Sequence, residues 1–353
     1  MIQSSDRTVF ICRDHVLESV LDEIAEGLSA KGIRVVRGPA SAPGQILDFA
    51  DARLNDLFGV VDVAVFSGRW RCTRAVLGAA PRLVGIVNPT IGLDTVDLEA
   101  ADDNGIIVGH GAVPENYQSM AEATVMLMLA LMYNLHGSED VLRGRRPKPR
   151  PGAHEATSRM VKGSTIGLIG LGRIGRAVAE RLQPFGARLI AYSPSLGAHN
   201  APPGVTAVSL DDLLRSSDLV GLFVALDAGS RHMINEAAFS KMKDGAYLVN
   251  VARGDVIDEA ALIRALQNNK LAGAALDTFS VEPLPADSPL RLLDNVILTP
   301  HMVGTTRESF AALAPAAIDN ILRILDSELP RHCKNPHVAD AWHRRVRQVR
   351  SMG

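Results

Sequence analysis

The sequence predicts an α/β protein with two parallel sheets, each covered by helices, the second sheet lying in an insertion within the chain of the first. Three observations predict it. Short apolar runs of strand length alternate with segments of helical apolar spacing along the chain, the pattern of parallel strands joined by helical crossovers. Near the middle, at 165–200, one such unit carries glycines spaced G-x-G-x-x-G between its strand and its helix. The last long helical segment, 306–326, follows the last strand with no strand after it to serve. It therefore belongs with the first layer, and the glycine-bearing half interrupts that layer.

The elements follow in order. TVFIC at 8–12 reads as a strand, and Val16, Val20, Ile24 and Leu28 give a helix over 16–30 that Gly32 stops. Strands follow at 33–36 and 60–66, the latter leading into the polar loop Ser67-Gly68-Arg69-Trp70-Arg71. A helix at 75–80 and strands at 82–87 and 106–108 complete the first layer. A single long helix rich in Met, Leu and Ala is expected over 115–142. Its most apolar run, 120–133, contains Glu122 and is too short to span a bilayer. The basic, proline-bearing stretch 143–159 reads as an exposed loop. Beyond the glycines, strands are expected at 188–192, 219–224, 246–251, 272–277 and 295–298, with helices at 210–214, 236–242 and 259–268.

Composition bounds the function. With 47% hydrophobic and 22% charged residues, the chain is an ordinary globular one. A formal net charge of −2 gives no general attraction to nucleic acid or to an anionic membrane, and neither is expected as a partner. Cys12, Cys72 and Cys333 are scattered, with neither a C-x-x-C pair nor a disulfide framework, which suits a reducing cytoplasm. The N-terminus lacks a basic head followed by a long apolar core, so no signal peptide is expected. No metal site is expected.

The glycines carry the first chemistry. Gly170 permits a tight turn after the strand, Gly172 lets the backbone approach a pyrophosphate, and Gly175 lets the helix pack closely on the strand. The free N–H groups at the start of that helix then face the anion. The motif alone is weak, but within strand–turn–helix–strand it specifies a dinucleotide site. The fold is accordingly two Rossmann-like domains, one flavodoxin-like and one dinucleotide-binding. The substrate (catalytic) domain is 1–113 with 302–353, and the NAD(P)-binding domain is 114–301. The residues expected to hold the cofactor are Gly170, Gly172, Arg173, Ile174, Gly175, Ser193, Val224 and Ala252.

Three strand ends in the second half each deliver a polar residue: Arg253 after AYLVNV, Glu282 after ALDTFS and His301 after VILTP. In open α/β sheets ligands sit beyond the carboxyl ends of the strands, so the three should converge on the edge that carries the glycine turn. The trio fits hydride transfer to a ketone. The oxygen that gains charge needs a proton donor, and a histidine can both give and take that proton. A carboxylate beside it would stabilise the imidazolium, and an arginine fork matches a substrate carboxylate. Each has a plainer use, as a hydrogen-bonding histidine, a solvated glutamate or a turn-capping arginine.

GLIGLGRIG at 167–175, LVNVARGDVIDEAAL at 248–262, GAALDTFSVEPLP at 273–285 and LTPHMVGTT at 298–306 resemble the D-isomer-specific 2-hydroxyacid dehydrogenases. So do PENYQSMAEATVMLML at 114–129 and PTIGLDTVDLEAADDNGIIV at 89–108, so the likeness covers nearly the whole chain. The resemblance implies an NAD(P)-dependent oxidoreductase that interconverts a 2-keto acid and a D-2-hydroxy acid, with Arg253, Glu282 and His301 catalytic. It implies that Asp277 holds the nicotinamide carboxamide, that backbone groups near Ile91 and Gly92 hold the substrate carboxylate with Arg253, and that the chain is a homodimer.

The chain departs from the family pattern in places. Ser67-Gly68 stands where the family has Arg-Ser or similar, followed by Arg69, which could read a second anion such as a phosphate or carboxylate. Ser193 stands where NAD-preferring enzymes carry Asp or Glu. No arginine follows it directly, so NAD and NADP both remain open, with NAD favoured by family habit. Glu282, where formate dehydrogenases place Gln, argues against that chemistry. The chain to Gly353 leaves no room for the added regulatory domain of some phosphoglycerate dehydrogenases. Two further readings are a D-3-phosphoglycerate dehydrogenase, within the enzyme class, and an NAD(H)-sensing corepressor-like binding protein, outside it.

Overall fold

The computed structural model describes residues 7–40, 45–49, 56–147, 158–197 and 199–351. Residues 148–157 of the basic loop lie outside the described residues. The chain forms two compact units, Met1–Asn116 with Thr306–Gly353, and Tyr117–Thr305.

The first unit is built on five parallel strands: β1 (Thr8–Ile11), β2 (Arg34–Arg37), β3 (Val63–Val65), β4 (Gly85–Asn88) and β5 (Ile107–His110), in the order β2-β1-β3-β4-β5. β1, β3 and β4 are buried along their whole length, which is why they read as unbroken apolar runs rather than alternating ones. The helix Arg307–Leu325 returns to this sheet. Its apolar positions Leu313, Ala317, Ile321 and Ile324 recur at helical spacing and are buried. They sit so close that a Cβ on Gly85 would lie 2.6 Å from Ile324. Gly85 is what allows that approach.

After that helix the chain covers the free edge of β5. His110 donates its backbone N–H to His332, and Lys334 donates to Val108. Buried Asn335 accepts from the Val108 N–H at 2.8 Å and donates to Ile106 O and to Asp102. A covered edge cannot recruit a foreign strand. A further helix, Ala339–Ser351, follows. Its Trp342 is fully buried and donates from Nε1 to Val84 O. Arg345 donates to the carbonyls of Leu83, Asn104 and Ala80.

The second unit carries seven parallel strands: β6 (Thr165–Ile169), β7 (Arg188–Tyr192), β8 (Val205–Ala207), β9 (Leu219–Leu222), β10 (Ala246–Asn250), β11 (Leu271–Leu276) and β12 (Val296–Leu298). Their order is β12-β11-β10-β9-β6-β7-β8. The chain runs outward from β6 through β8, then returns to β9 on the other side. The switch point therefore lies between β6 and β9, where such sheets bind ligands. No described helix is long and apolar enough to cross a membrane.

Three elements differ from expectation. The helix expected over 115–142 is two helices, Pro114–Met132 and Leu135–Leu142, because Asn134 takes a left-handed conformation at φ 47°. Asparagine tolerates that region better than other non-glycine residues. β8 has only three residues and follows two prolines, so it carries no periodic signal of its own. The final helix has its apolar residues Trp342, Val346 and Val349 diluted among four arginines, so its sequence pattern is that of a basic tail.

Candidate active site

The site in the second unit follows from strand register. Tyr192, Ile169, Leu222, Asn250, Leu276 and Leu298 are successive Cα partners across β7, β6, β9, β10, β11 and β12. These strands end level. Whatever follows each of them is delivered to one edge of the sheet: Ser193, Gly170, Val224, Arg253, Asp277 and His301.

The three glycines of the turn do three different things. Gly170 has φ +93°, and a Cβ there would meet Phe223 backbone at 2.8 Å. A Cβ on Gly175 would lie 2.3 Å from Gly170 O, so the helix Arg173–Leu182 packs directly on the turn. Gly172 faces open space, with no atom within 4 Å of its Cβ position. Gly172 also leaves the N-terminus of its ten-residue helix without a side-chain cap, whereas Ser209, Asn235 and Asp258 cap the helices that follow them. Uncapped N–H groups beside an open glycine are a cradle for an anion, and the pyrophosphate of a dinucleotide fits that donor set. Arg173 is exposed and Ile174 half-buried beside it. Ser193 follows β7 half-exposed, with no carboxylate there to accept from a ribose hydroxyl. Val224 is half-buried and Ala252 buried.

Arg253 is held by its strand end. Buried Asn250 accepts from the Ala252 N–H at 3.0 Å and donates to Arg253 O at 2.9 Å, so one side chain ties both sides of the turn. Gly254 then brings the turn against the next segment: a Cβ there would lie 1.9 Å from the Phe279 carbonyl carbon. Only a glycine permits this backbone contact.

Glu282 accepts from the Phe279 N–H at 3.0 Å through Oε1, and its Oε2 lies 2.7 Å from His301 Nδ1. Burial alone would raise the Glu282 pKa. The hydrogen bond and charge of His301, the Phe279 N–H and the positive charge of Arg253 outweigh it and hold the carboxyl below its ordinary value. An anionic Glu282 requires Nδ1 of His301 to carry a proton, which leaves Nε2 to act on a ligand. His301 is itself left-handed, at φ 56°, and its side chain is 45% exposed.

The loop bearing His301 hangs on Asp277. Its Oδ1 accepts from Thr299 Oγ1 at 2.6 Å, Met302 N at 3.0 Å and Val303 N at 3.1 Å. Burial pushes the Asp277 carboxyl up, against these hydrogen bonds. The sequence reading missed Thr299 and Asn250. The signal for Asn250 was a polar residue closing an apolar strand in AYLVN.

In the first unit, Ser67 is fully buried. Its Oγ accepts from the Arg69 N–H at 3.3 Å, and its carbonyl accepts from Thr95 Oγ1 at 3.0 Å. Gly68 is exposed and Arg69 half-exposed. Trp70 anchors the loop: it is buried, packs on Phe49 at 4.4 Å and donates to Arg13 O. The loop with Ile91 and Gly92 is folded around buried Asn88, which donates to Gly92 O and accepts from Thr90 N. Asn88 was missed too, and it also closes an apolar strand.

Residues 125–303 match the model of the D-isomer specific 2-hydroxyacid dehydrogenase NAD binding domain. The chain is 39% identical over 268 residues to a glyoxylate reductase of Thermofilum pendens, covering 74% of this chain and 78% of that one. It is 38% identical over 277 residues to a D-3-phosphoglycerate dehydrogenase of Methanocaldococcus jannaschii, covering 78% of this chain and 52% of that longer one. Among solved structures, a D-lactate dehydrogenase of Aquifex aeolicus complexed with NAD and lactic acid superposes with TM-score 0.75 at 28% identity, covering 91% of this chain and 96% of that one. The chain thus belongs to the D-isomer specific 2-hydroxyacid dehydrogenase family of NAD(P)-dependent oxidoreductases.

Proposed function

We propose that His301, Glu282 and Arg253 carry the 2-keto acid reduction that this NAD(P)-dependent 2-hydroxyacid dehydrogenase performs. The observation that carries the assignment is the 2.7 Å contact between His301 Nδ1 and Glu282 Oε2. A bound nicotinamide supplies the hydride in one direction and takes it up in the other. In reduction, His301 Nε2 gives its proton to the substrate oxygen as the carbonyl carbon is reduced, and the imidazole is left neutral. In oxidation, Nε2 takes the hydroxyl proton. Glu282 holds Nδ1–H throughout and stabilises the charged imidazolium. Arg253 binds the substrate carboxylate as a fork. Gly170, Gly172, Arg173, Ile174 and Gly175 would hold the pyrophosphate, and Ser193, Val224 and Ala252 would bind other parts of the cofactor. Asp277, whose Oδ1 is committed to the loop, would hold the nicotinamide carboxamide through its other oxygen.

Ser67, Gly68, Ile91 and Gly92 are further proposed substrate-binding residues, with Ser67 acting through the loop it shapes. Arg69 is half-exposed with no side-chain partner among the described residues, which supports its reading a second anion on the substrate. A homodimer through the second unit is supported by apolar side chains standing in solvent at Met126, Tyr133, Leu135, Leu142 and Met160, with Leu142 91% exposed. A cytoplasmic setting is supported by free, buried Cys12 and Cys72, whose thiols burial pushes up, that of Cys12 to about 12. His301→Ala tests the catalytic assignment. Keto-acid reduction should be abolished while NADH binding, followed by its fluorescence, stays near that of the parent. Retained reduction would refute the acid–base role.

A further inference from the structure

His301 holds a backbone conformation that its own residue type does not favour. At φ 56° a non-glycine residue persists only where its surroundings over-determine it. Asp277 fixes the loop at Thr299, Met302 and Val303. The chain closes a turn just beyond, where Thr305 N donates to Met302 O. The far side of that turn is held by something else. Ser119, buried in the helix Pro114–Met132, donates from Oγ to Gly304 O at 2.7 Å. Next to it Met120 fills the space over Gly304 so fully that a Cβ there would lie 2.0 Å from its Sδ and 2.7 Å from its Cγ. Met120 and Val303 pack against the same apolar cluster.

The geometry points to Ser119 as a positioning residue for His301, acting with Met120 and Gly304 as a latch between the helix and the loop. The inference rests on the acid–base role proposed for His301. The latch touches neither cofactor nor reacting atoms. It sets where Nε2 sits by closing the loop from the side that Asp277 does not reach. Hydride transfer depends steeply on that placement, because a displacement of about 1 Å at a catalytic group can cost roughly 100-fold.

The experiment measures single-turnover reduction, with NADH and whichever acid of a panel of 2-keto acids the parent reduces fastest, alongside the NADH dissociation constant and Tm. Ser119→Ala should slow hydride transfer by about tenfold or more, with NADH binding and Tm near the parent. Gly304→Ala should do the same by crowding Met120. Adding Met120→Ala to it removes the crowding atoms and should restore most of the rate. His301→Ala serves as the reference. If it is inactive while Ser119→Ala reduces within twofold of the parent, the latch is wrong and the acid–base role stands. A slow Ser119→Ala whose NADH binding and Tm fall together would also overturn the latch, since the serine would then be merely structural. A His301→Ala that keeps full activity removes the acid–base role and this inference with it.

Discussion

Gly254→Ala should cripple catalysis from a position that carries no functional group. The new Cβ would lie 1.9 Å from the carbonyl carbon of Phe279, 2.2 Å from its oxygen and 2.3 Å from Ser280 N. All three are backbone atoms, so no rotamer change relieves the clash. To restore ordinary contact the two segments must part by about 1.5 Å. One bears Arg253 and the other leads into Glu282, so Arg253 and the hydrogen-bond partner of His301 move apart. Overpacking of this kind costs about 1–3 kcal/mol, or roughly 2 to 10 °C in Tm for a unit of this size. Misplacing the groups should lower kcat/KM for the keto acid by about 100-fold. NADH binding at the glycine turn should change far less. Gly78→Ala is the control, because nothing lies within 4 Å of its Cβ position and its φ is not positive. Steady-state kinetics, NADH fluorescence and thermal melts on the two variants decide it. If Gly254→Ala matched Gly78→Ala in Tm and kcat/KM, the close backbone contact would not exist, and the account of how Arg253 is placed would fail.

Glu282→Gln keeps the shape of the pair but removes its charge, and kcat/KM should fall about 10- to 100-fold, the worth of a charge-assisted hydrogen bond of roughly 1.5–3 kcal/mol. Because the folded pKa of Glu282 is depressed, its contribution to stability is present above the ordinary value of 4.5 and is lost as pH falls through the folded value. The Tm difference between parent and Glu282→Gln should therefore shrink as melts are taken well below 4.5, and a constant difference would contradict this. Ser193→Asp places a carboxylate where a 2′-phosphate would lie, so the ratio of kcat/KM for NADH over NADPH should rise roughly tenfold or more. Trp342→Ala empties the largest side chain of the final helix and should destabilise the first unit by about 3–5 kcal/mol, read in a denaturant melt.

What could be read from the sequence was what is local or periodic. The glycine turn is legible because each glycine answers a backbone requirement within six residues, and the structure places two of them in close contact and one in the open. The buried strands are legible because both faces are covered, so their apolar runs are unbroken. The break at Asn134 was not, because one left-handed residue inside an apolar helical pattern leaves the periodicity almost intact. Trp342 docks on Val84 O, 258 positions earlier in the chain, and no local pattern encodes that. Thr299 and Asn250 acquire their roles only through the backbone groups they meet, which depend on how neighbouring strands end.

The two units differ in legibility for a physical reason. In the second, six strands end on one row of register partners, so a residue within about three positions of a strand end is delivered to one edge of the sheet. A dinucleotide is also bound largely by backbone, through requirements that only glycine meets. In the first, the loops beyond the strands take their shape from side chains: Asn88 curls the chain around itself, and Trp70 buries one flank of its loop while leaving Arg69 half in solvent. Such loops can change their exposed residues without disturbing the strands that bear them. The second sheet therefore has an edge where register dictates position, whereas the loops of the first unit have exposed side chains that can vary. Gly68 and Arg69 lie on the exposed side of such a loop, so substitutions there should disturb the fold less than substitutions at the buried Ser67 or Trp70.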